Sequence, residues 1–293
     1  MMLSDVYAIA PDETLIKLTD REAGFYLLSA AGLSMRDVHP VVGRVPYMDG
    51  ARLRGSYVAE RKVAVALGIV KSTPGALQEA VAALQSQLSP KRIVDPTSQH
   101  FTLRVVTLDG RVRDIDGLFT LADVQYDGPY YARVSLTFHA PEPFWYDPDQ
   151  HQESLSLPAG TGAGFPLSFS VSFASTTIDG HIYPVNSGDV EVWPVIRVTG
   201  PADNPALTNV TTGKKMEITQ TQDAGDYIET DMENGTVMFY DASVGTLTSI
   251  LKNISAASEF WSLAVGENDI HVTAENASGG SITLSWYDKF VGV

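Results

Sequence analysis

Residues able to do chemistry are few and scattered along this chain. Asp147, Asp149 and His151 occupy alternate positions of one segment, a spacing that points two carboxylates and an imidazole the same way in an extended chain and suits a divalent ion. The competing reading is a turn around Pro148 whose polar residues are solvated. Paired acids occur at Asp114 with Asp116 and at Glu229 with Asp231, and would suit a glycosidase only if one carboxyl were buried. Same-face acids on an exposed strand are the commoner case. The six histidines, at positions 39, 100, 139, 151, 181 and 271, include no His-Glu-x-x-His pair. With no cysteine in the sequence, thiolate nucleophiles, disulfides and Cys-based zinc sites are excluded. There is no Gly-x-Ser-x-Gly elbow. The glycines at 160, 162 and 164 imitate a phosphate loop, but no strand-to-helix context and no Lys-Ser/Thr accompany them, so they read as a linker. No catalytic residue, metal site or cofactor is expected. A hydrolase centred on Asp147, Asp149 and His151 remains a rival reading.

The elements that must carry these residues are bounded first by length and charge. At 293 residues the chain exceeds one typical domain of roughly 100–200 residues, and two domains are expected. A composition of 44% hydrophobic and 19% charged residues is that of a globular protein. Residues 1–150 carry 15 Lys+Arg against 18 Asp+Glu, net −3, and residues 151–293 carry 5 against 17, net −12. A total of −15 opposes general nucleic-acid binding, which needs clustered cations. The near-neutral half is free to approach copies of itself, whereas the −12 half favours solvent. Met-Met-Leu-Ser-Asp has neither basic nor apolar signal-peptide regions, so export by the secretory route is not expected. The uncharged run 154–178 is too rich in Ser, Gly, Thr and Pro to span a bilayer.

Short strands separated by Gly, Pro and Asp are predicted over Val6–Ile9, Thr14–Leu18, Phe25–Leu28 and Lys62–Val70. The segment 49–61 holds three arginines, Arg52, Arg54 and Arg61, and reads as a basic loop or strand edge. One helix is predicted over Pro74–Leu88, with Thr73 as N-cap, Pro74 at its first position, Ser89-Pro90 as its stop and a stripe of Leu77, Val81, Leu84 and Leu88. Alternation on both sides of Asp109-Gly110 predicts a hairpin. A strand from Tyr131 to His139 runs into Pro141, Pro143 and Pro148, which end regular pairing. Beyond them, Leu167–Phe173 alternates apolar and serine. Further strands are expected near Val190–Val198, Met216–Thr219, Tyr227–Thr230, Thr236–Tyr240, Asp269–Thr273 and Ser281–Tyr287, with the spacing of an antiparallel sandwich.

The seam itself, His139 to Asp149, is too aromatic for a free linker. Phe144, Trp145 and Tyr146 are expected to pack on the first domain, leaving a flexible joint later, near Pro158–Gly164. Trp193, Trp261 and Trp286 read as core or interface. The alternative is a sugar-stacking platform, which would make the chain a carbohydrate-binding adhesion protein recognising a host surface.

The ordered set of segments resembles the distal tail proteins of siphovirus-type, long-tailed bacteriophages. The first half is similar through the Arg61-to-Val70 strand, the Thr73-to-Leu88 helix, the Lys91-Arg92-Ile93 strand start and the hairpin at Asp109-Gly110. Most specific is Phe138-His-Ala-Pro-Glu-Pro-Phe-Trp-Tyr146 at the end of the first domain. The second half adds Trp193-Pro-Val-Ile-Arg-Val-Thr-Gly-Pro201, Asn204-Pro-Ala-Leu-x-Asn209, Thr212-Gly213 and Phe260-Trp-Ser-Leu-x-x-Gly-Glu-Asn268. The resemblance implies a mainly β, non-enzymatic virion protein. It has an N-terminal ring-forming, sandwich-like domain (1–149) with one helix (74–88) and a C-terminal galectin-like antiparallel sandwich (150–293). It implies a hexameric ring at the distal end of the tail, assembled in the host cytoplasm, which joins the tail tube protein to hub or tip proteins. The ring's lumen would admit the tape-measure protein and passing DNA. Neither membrane insertion nor specific nucleic-acid binding is expected. Pro141, Pro143, Phe144, Trp145 and Tyr146, with Arg52, Arg54 and Arg61, are then the expected structural and interface residues.

Overall fold

The computed structural model of the protein describes residues 3–35, 38–44, 47, 49–89, 99–156, 177–277 and 279–293, without the side chains of 121 and 122. The expected strand over 167–173, the joint at 158–164, the glycine run and the 91–93 strand start lie outside the described residues. The chain divides into two units, Met1–Pro148 with Phe290–Val293, and Asp149–Lys289. Phe290–Val293, expected to end the second domain, thus belong with the first unit.

In the first unit, β1 (Leu3–Ile9), β2 (Leu15–Lys17), β3 (Phe25–Ala31), β4 (Val38–Gly43), β5 (Arg52–Val58), β6 (Arg61–Val70), β7 (Phe101–Thr107), β8 (Val112–Tyr126), β9 (Tyr131–Ala140) and β10 (Trp145–Tyr146) accompany helix α1 (Pro74–Gln87). All pairings are antiparallel and the main order is β2-β1-β7-β8-β9-β6-β3. The long strand β8 turns this one sheet into two layers. Its first part, Val112–Gly117, pairs with β7, and its second part, from Leu118, pairs with β9. Gly117 sits at the switch, where an added Cβ would lie 2.1 Å from the carbonyl oxygen of His139. Only a residue without a side chain lets the strands cross so closely. Period-2 alternation puts Phe101, Leu103 and Val105 of β7 and Val63, Val65 and Leu67 of β6 inside. Phe119 packs edge-on to both Phe101 (5.6 Å, 79°) and Phe138 (4.9 Å, 69°), the geometry aromatic quadrupoles favour. Helix α1 has Thr73 accepting from the Ala76 N–H and buries Leu77, Val81 and Leu84, with Leu88 just beyond its end.

The segment 49–61, expected as a basic loop or strand edge, supplies β5 of the ribbon β4–β5, and its partner β4 was not expected. The two strands pair only with each other among the described residues, and nearly every side chain on both faces is exposed.

In the second unit, β11 (His151–Ser156), β12 (Ile178–Ile182), β13 (Val185–Asn186), β14 (Val195–Thr199), β15 (Asp203–Asn209), β16 (Lys214–Glu217), β17 (Tyr227–Asp231), β18 (Thr236–Asp241), β19 (Thr246–Ser249), β20 (Gly266–Glu267), β21 (Ile270–Glu275) and β22 (Ser281–Trp286) follow. They form a six-stranded sheet, β11-β22-β14-β17-β18-β19, and a four-stranded sheet, β12-β21-β15-β16, beside the pair β13-β20. Ile196, Val198, Ile228, Ile282 and Leu284 from the first sheet share one core with Leu207, Met216, Ile270 and Val272 from the second, together with Trp261 and Leu263. The chain is therefore mainly β, with antiparallel sheets and, among the described residues, one α-helix.

Replacing Gly117 by Ala costs about 1–3 kcal/mol through overpacking at the crossing and lowers the thermal midpoint. Gly75→Ala, near the helix start with nothing within 4 Å of its added Cβ, leaves the midpoint unchanged or raises it. Paired thermal melts check both.

Candidate functional site: the Arg61 node

The alternation that buries Val63 and Val65 places Arg61, the first residue of β6, on the same inward side. Arg61 is 1% exposed, and a buried guanidinium is tolerable only when its donors are met. They are met by backbone. Nε donates to the Pro143 carbonyl at 2.5 Å, Nη1 to Gly32 at 2.6 Å and Ser34 at 2.8 Å, and Nη2 to Val291 at 2.9 Å. The guanidinium lies 5.6 Å from the ring centre of Trp145, a fully buried side chain whose indole Nε1 has no hydrogen-bond partner among the described residues. Gly32 has φ +84°, and a Cβ there would meet the Lys62 carbonyl at 2.2 Å, so glycine is required where the chain passes the node. Three segments thus end on one side chain: the root of the ribbon, the proline-aromatic seam and the returning tail. The tail is held twice more, by Arg113 stacked 3.8 Å over Phe290 and by the Val293 N–H donating to the Leu33 carbonyl at 3.2 Å.

The seam's next residue anchors a polar network on the opposite face of β7–β8. Tyr146 pairs in register with Asp114 and donates its hydroxyl to Asp116 at 2.8 Å. Asp116 also accepts from the Thr102 hydroxyl at 2.6 Å and lies 3.2 Å from His100 Nε2. Burial raises the Asp116 carboxyl, but bonds from His100, Thr102 and Tyr146 outweigh it and hold the carboxyl below its ordinary value. The same contact holds the His100 imidazole above its ordinary value despite burial. Burial, then the Asp116 charge, pushes the Tyr146 phenol far up. Asp114 is raised by burial while Arg104 clamps it bidentately at 2.8 and 2.6 Å. A carboxylate so clamped is a structural anion.

The expected site residues separate accordingly. Trp145 is buried, Pro143, Phe144 and Tyr146 are half-buried, and Pro141 is exposed. Arg52 and Arg54 are exposed on the ribbon, but Arg61 is not part of that basic surface. The acids considered for catalysis are occupied: Asp147 pairs with Arg113 at 3.1 Å, His151 with Asp288 at 3.3 Å, and Glu229 with Arg197 at 2.5 Å, while Asp231 caps the backbone N–H groups of Glu233 and Asn234. Among the described residues no group of three or more His, Asp or Glu could hold a metal ion. Trp261 and Trp286 are buried and Trp193 packs against the same core, so the sugar-stacking platform loses its residues. The motif asparagines are architecture as well. Asn209 donates to the Ser262 carbonyl and accepts from Thr212, and Asn268 closes the loop from Ala264 to Gly266.

Each of the two units is thus built of antiparallel β-strands, and the seam carbonyl of Pro143 and the Tyr146 hydroxyl are engaged in anchoring. Residues 187–290 match the family model of the siphovirus-type tail component, C-terminal domain. Across its length the chain resembles the crystal structure of the SPP1 Dit (gp 19.1) protein, described as a paradigm of the hub adsorption apparatus in phages infecting Gram-positive bacteria, at TM-score 0.65 and 15% identity over 97% of this chain and 99% of that one. It also resembles chains of the phage p2 baseplate in its activated conformation, with Ca (TM-score 0.51, 10% identity, 97% of this chain and 98% of that one) and with Sr (0.51, 9%, 96% and 97%). No curated protein matches by sequence. The match to the tail-component model thus falls within the second unit, and the whole chain shares the fold of these solved proteins.

Replacing Arg61 by Met strands four carbonyls and costs about 3 kcal/mol or more. The thermal midpoint should fall by roughly 5–10 °C, and Arg61→Lys, which keeps charge without the fork, should recover only part of it. A raised His100 value stabilises the fold below the ordinary histidine value of about 6.5 and is lost as pH rises through the raised value. The gap in melting temperature between wild type and His100→Gln should therefore be wider near pH 5.5 than near pH 8.5, and equal gaps would contradict the contact.

Proposed function

We propose that this chain is a distal tail protein whose first unit closes, in six copies, into a ring at the distal end of a siphovirus-type tail. The ring joins the tail tube to the tip or baseplate hub, and its lumen passes the tape-measure protein and then DNA. The role is structural, not enzymatic, and its place is the virion, after assembly in the host cytoplasm.

The observation that supports this reading is the β4–β5 ribbon. Val42 is 56% and Leu53 69% exposed, and Val38, Val41 and Tyr57 are exposed beside them. A two-stranded ribbon is marginal by itself, and an apolar patch rimmed by polar groups marks a contact surface. Between Val38 and Val58 the sequence holds Arg44, Arg52 and Arg54 against Asp49 alone, in a chain of net −15. That contrast complements the surface of another copy. A closed ring needs two different patches on each subunit, one meeting the other on the next copy. A second half, residues 151–293, of net −12 favours solvent outside such a ring.

Native mass spectrometry of the purified chain should show hexamers in equilibrium with monomers. Leu53→Asp should shift that equilibrium to monomer at an unchanged melting temperature, since Leu53 supports no core. A wild type that stays monomeric at high concentration would contradict the ring.

A further inference from the structure

An open sheet ends in strands with one unpaired backbone edge, and such an edge is a template for another strand unless charge, proline, a bulge or a cover blunts it. Most edges among the described residues are blunted. Strand β2 is three residues long and carries Lys17, β3 breaks register between Leu27 and Ser29, β4 contains Pro40, and β11 and β12 carry Glu153 and Asp179. Strand β16 is covered, its Lys215 and Glu217 carbonyls accepting from the N–H groups of Glu259 and Ser255. Strand β19, the last of the six-stranded sheet, has none of these devices. Thr246-Leu-Thr-Ser249 holds no charge and no proline, pairs with β18 without a register shift, and is exposed at all four positions.

The backbone groups that β19 offers follow from its pairing. The Ile250 N–H donates to the Val237 carbonyl at 2.9 Å, and hydrogen-bonded pairs recur at every second residue of an antiparallel ladder. Thr248 and Thr246 therefore bond to Phe239 and Asp241, whereas Leu247 and Ser249 turn their N–H and C=O groups away from the sheet. Leu247, 53% exposed, stands beside Tyr240 in register, and Tyr240 stacks on Tyr227 at 4.9 Å and 18°. A strand added at this edge would lay a side chain against that row. The surroundings are acidic. From Met216 to Leu251 the sequence holds seven Asp and Glu and no Lys, Arg or His. Asp226 and Asp241 gather at the β18–β19 turn, where they accept from the backbone N–H groups of Ala242 and of Ser243 and Val244. A second copy would bring like charge to like charge.

We propose that β19 is a docking edge for an extended segment of another protein, uncharged and β-branched where it pairs and bearing Lys or Arg at its ends. Main-chain bonds to Leu247 and Ser249 hold the segment, alternate side chains set its fit, and the surrounding acids select its positive ends. The edge belongs to the second unit, and its role is independent of ring closure by the first.

The test uses the full chain and the peptide Lys-Lys-Thr-Val-Thr-Val-Thr-Lys-Lys, read by amide hydrogen exchange at single residues. The Leu247 and Ser249 amides should exchange fast in the free chain, and the peptide should slow both by roughly tenfold or more. Replacing the peptide's lysines by glutamates, or methylating its alternate backbone nitrogens, should abolish the protection. Salt at about 1 M, where the screening length is about 3 Å, should weaken it. Ser249→Pro removes an outward N–H and no ladder bond, so it should lose peptide binding while the thermal midpoint and the oligomeric state stay as in wild type. No protection by the lysine peptide, equal protection by the glutamate peptide, or protection of β19 that grows with chain concentration alone would overturn the proposal.

Discussion

A guanidinium inside a β-sandwich is a demand placed on everything around it. Arg61 is buried because β6 alternates, and its charge is satisfied by carbonyl groups that only particular backbone paths can supply. Gly32 and Ser34 bring the root of the ribbon to it, Pro143 brings the seam, and Val291 brings the last residues of the chain. Charge-assisted bonds of 2.5–2.9 Å are the strong kind, so these three paths are fixed together. The proline at 143 suits its place because only its carbonyl is needed there.

The same logic explains why residues that looked chemical turned out to be architectural. A carboxylate on a half-buried strand must be neutralised, and each one considered as a catalyst has a specific partner: Arg104 for Asp114, the His100–Thr102–Tyr146 group for Asp116, Arg197 for Glu229. What remains unspent lies at the surface. In the first unit it is the apolar, arginine-bearing ribbon.

Most elements were legible from periodicity. Helix α1 with Thr73 and its Leu-Val-Leu-Leu stripe, the hairpin at Asp109-Gly110 and the alternating strand β6 follow from local spacing, and structure places them there. Strand β4 was missed, and β5 was read as a loop or strand edge, because Val38–Gly43 and Arg52–Val58 are exposed on both faces and neither carries the apolar alternation that betrays a half-buried strand. Trp145 was legible as packed because a tryptophan between prolines has no business in a free linker. Arg61 was misplaced on the basic surface because residue type outweighed parity: it stands two before Val63 and four before Val65 on the inward side.

Amide hydrogen exchange of the wild-type chain tests the node most directly. The Val293 N–H donates to Leu33 beside the Arg61 fork. If the node holds the three segments as one cooperative unit, the Val293 amide exchanges only with the opening that exposes β6, at a comparable protection. A Val293 amide that exchanges at the rate of an unstructured residue, while Val63 to Ile69 remain protected, would show that the tail and the ribbon root are not held there.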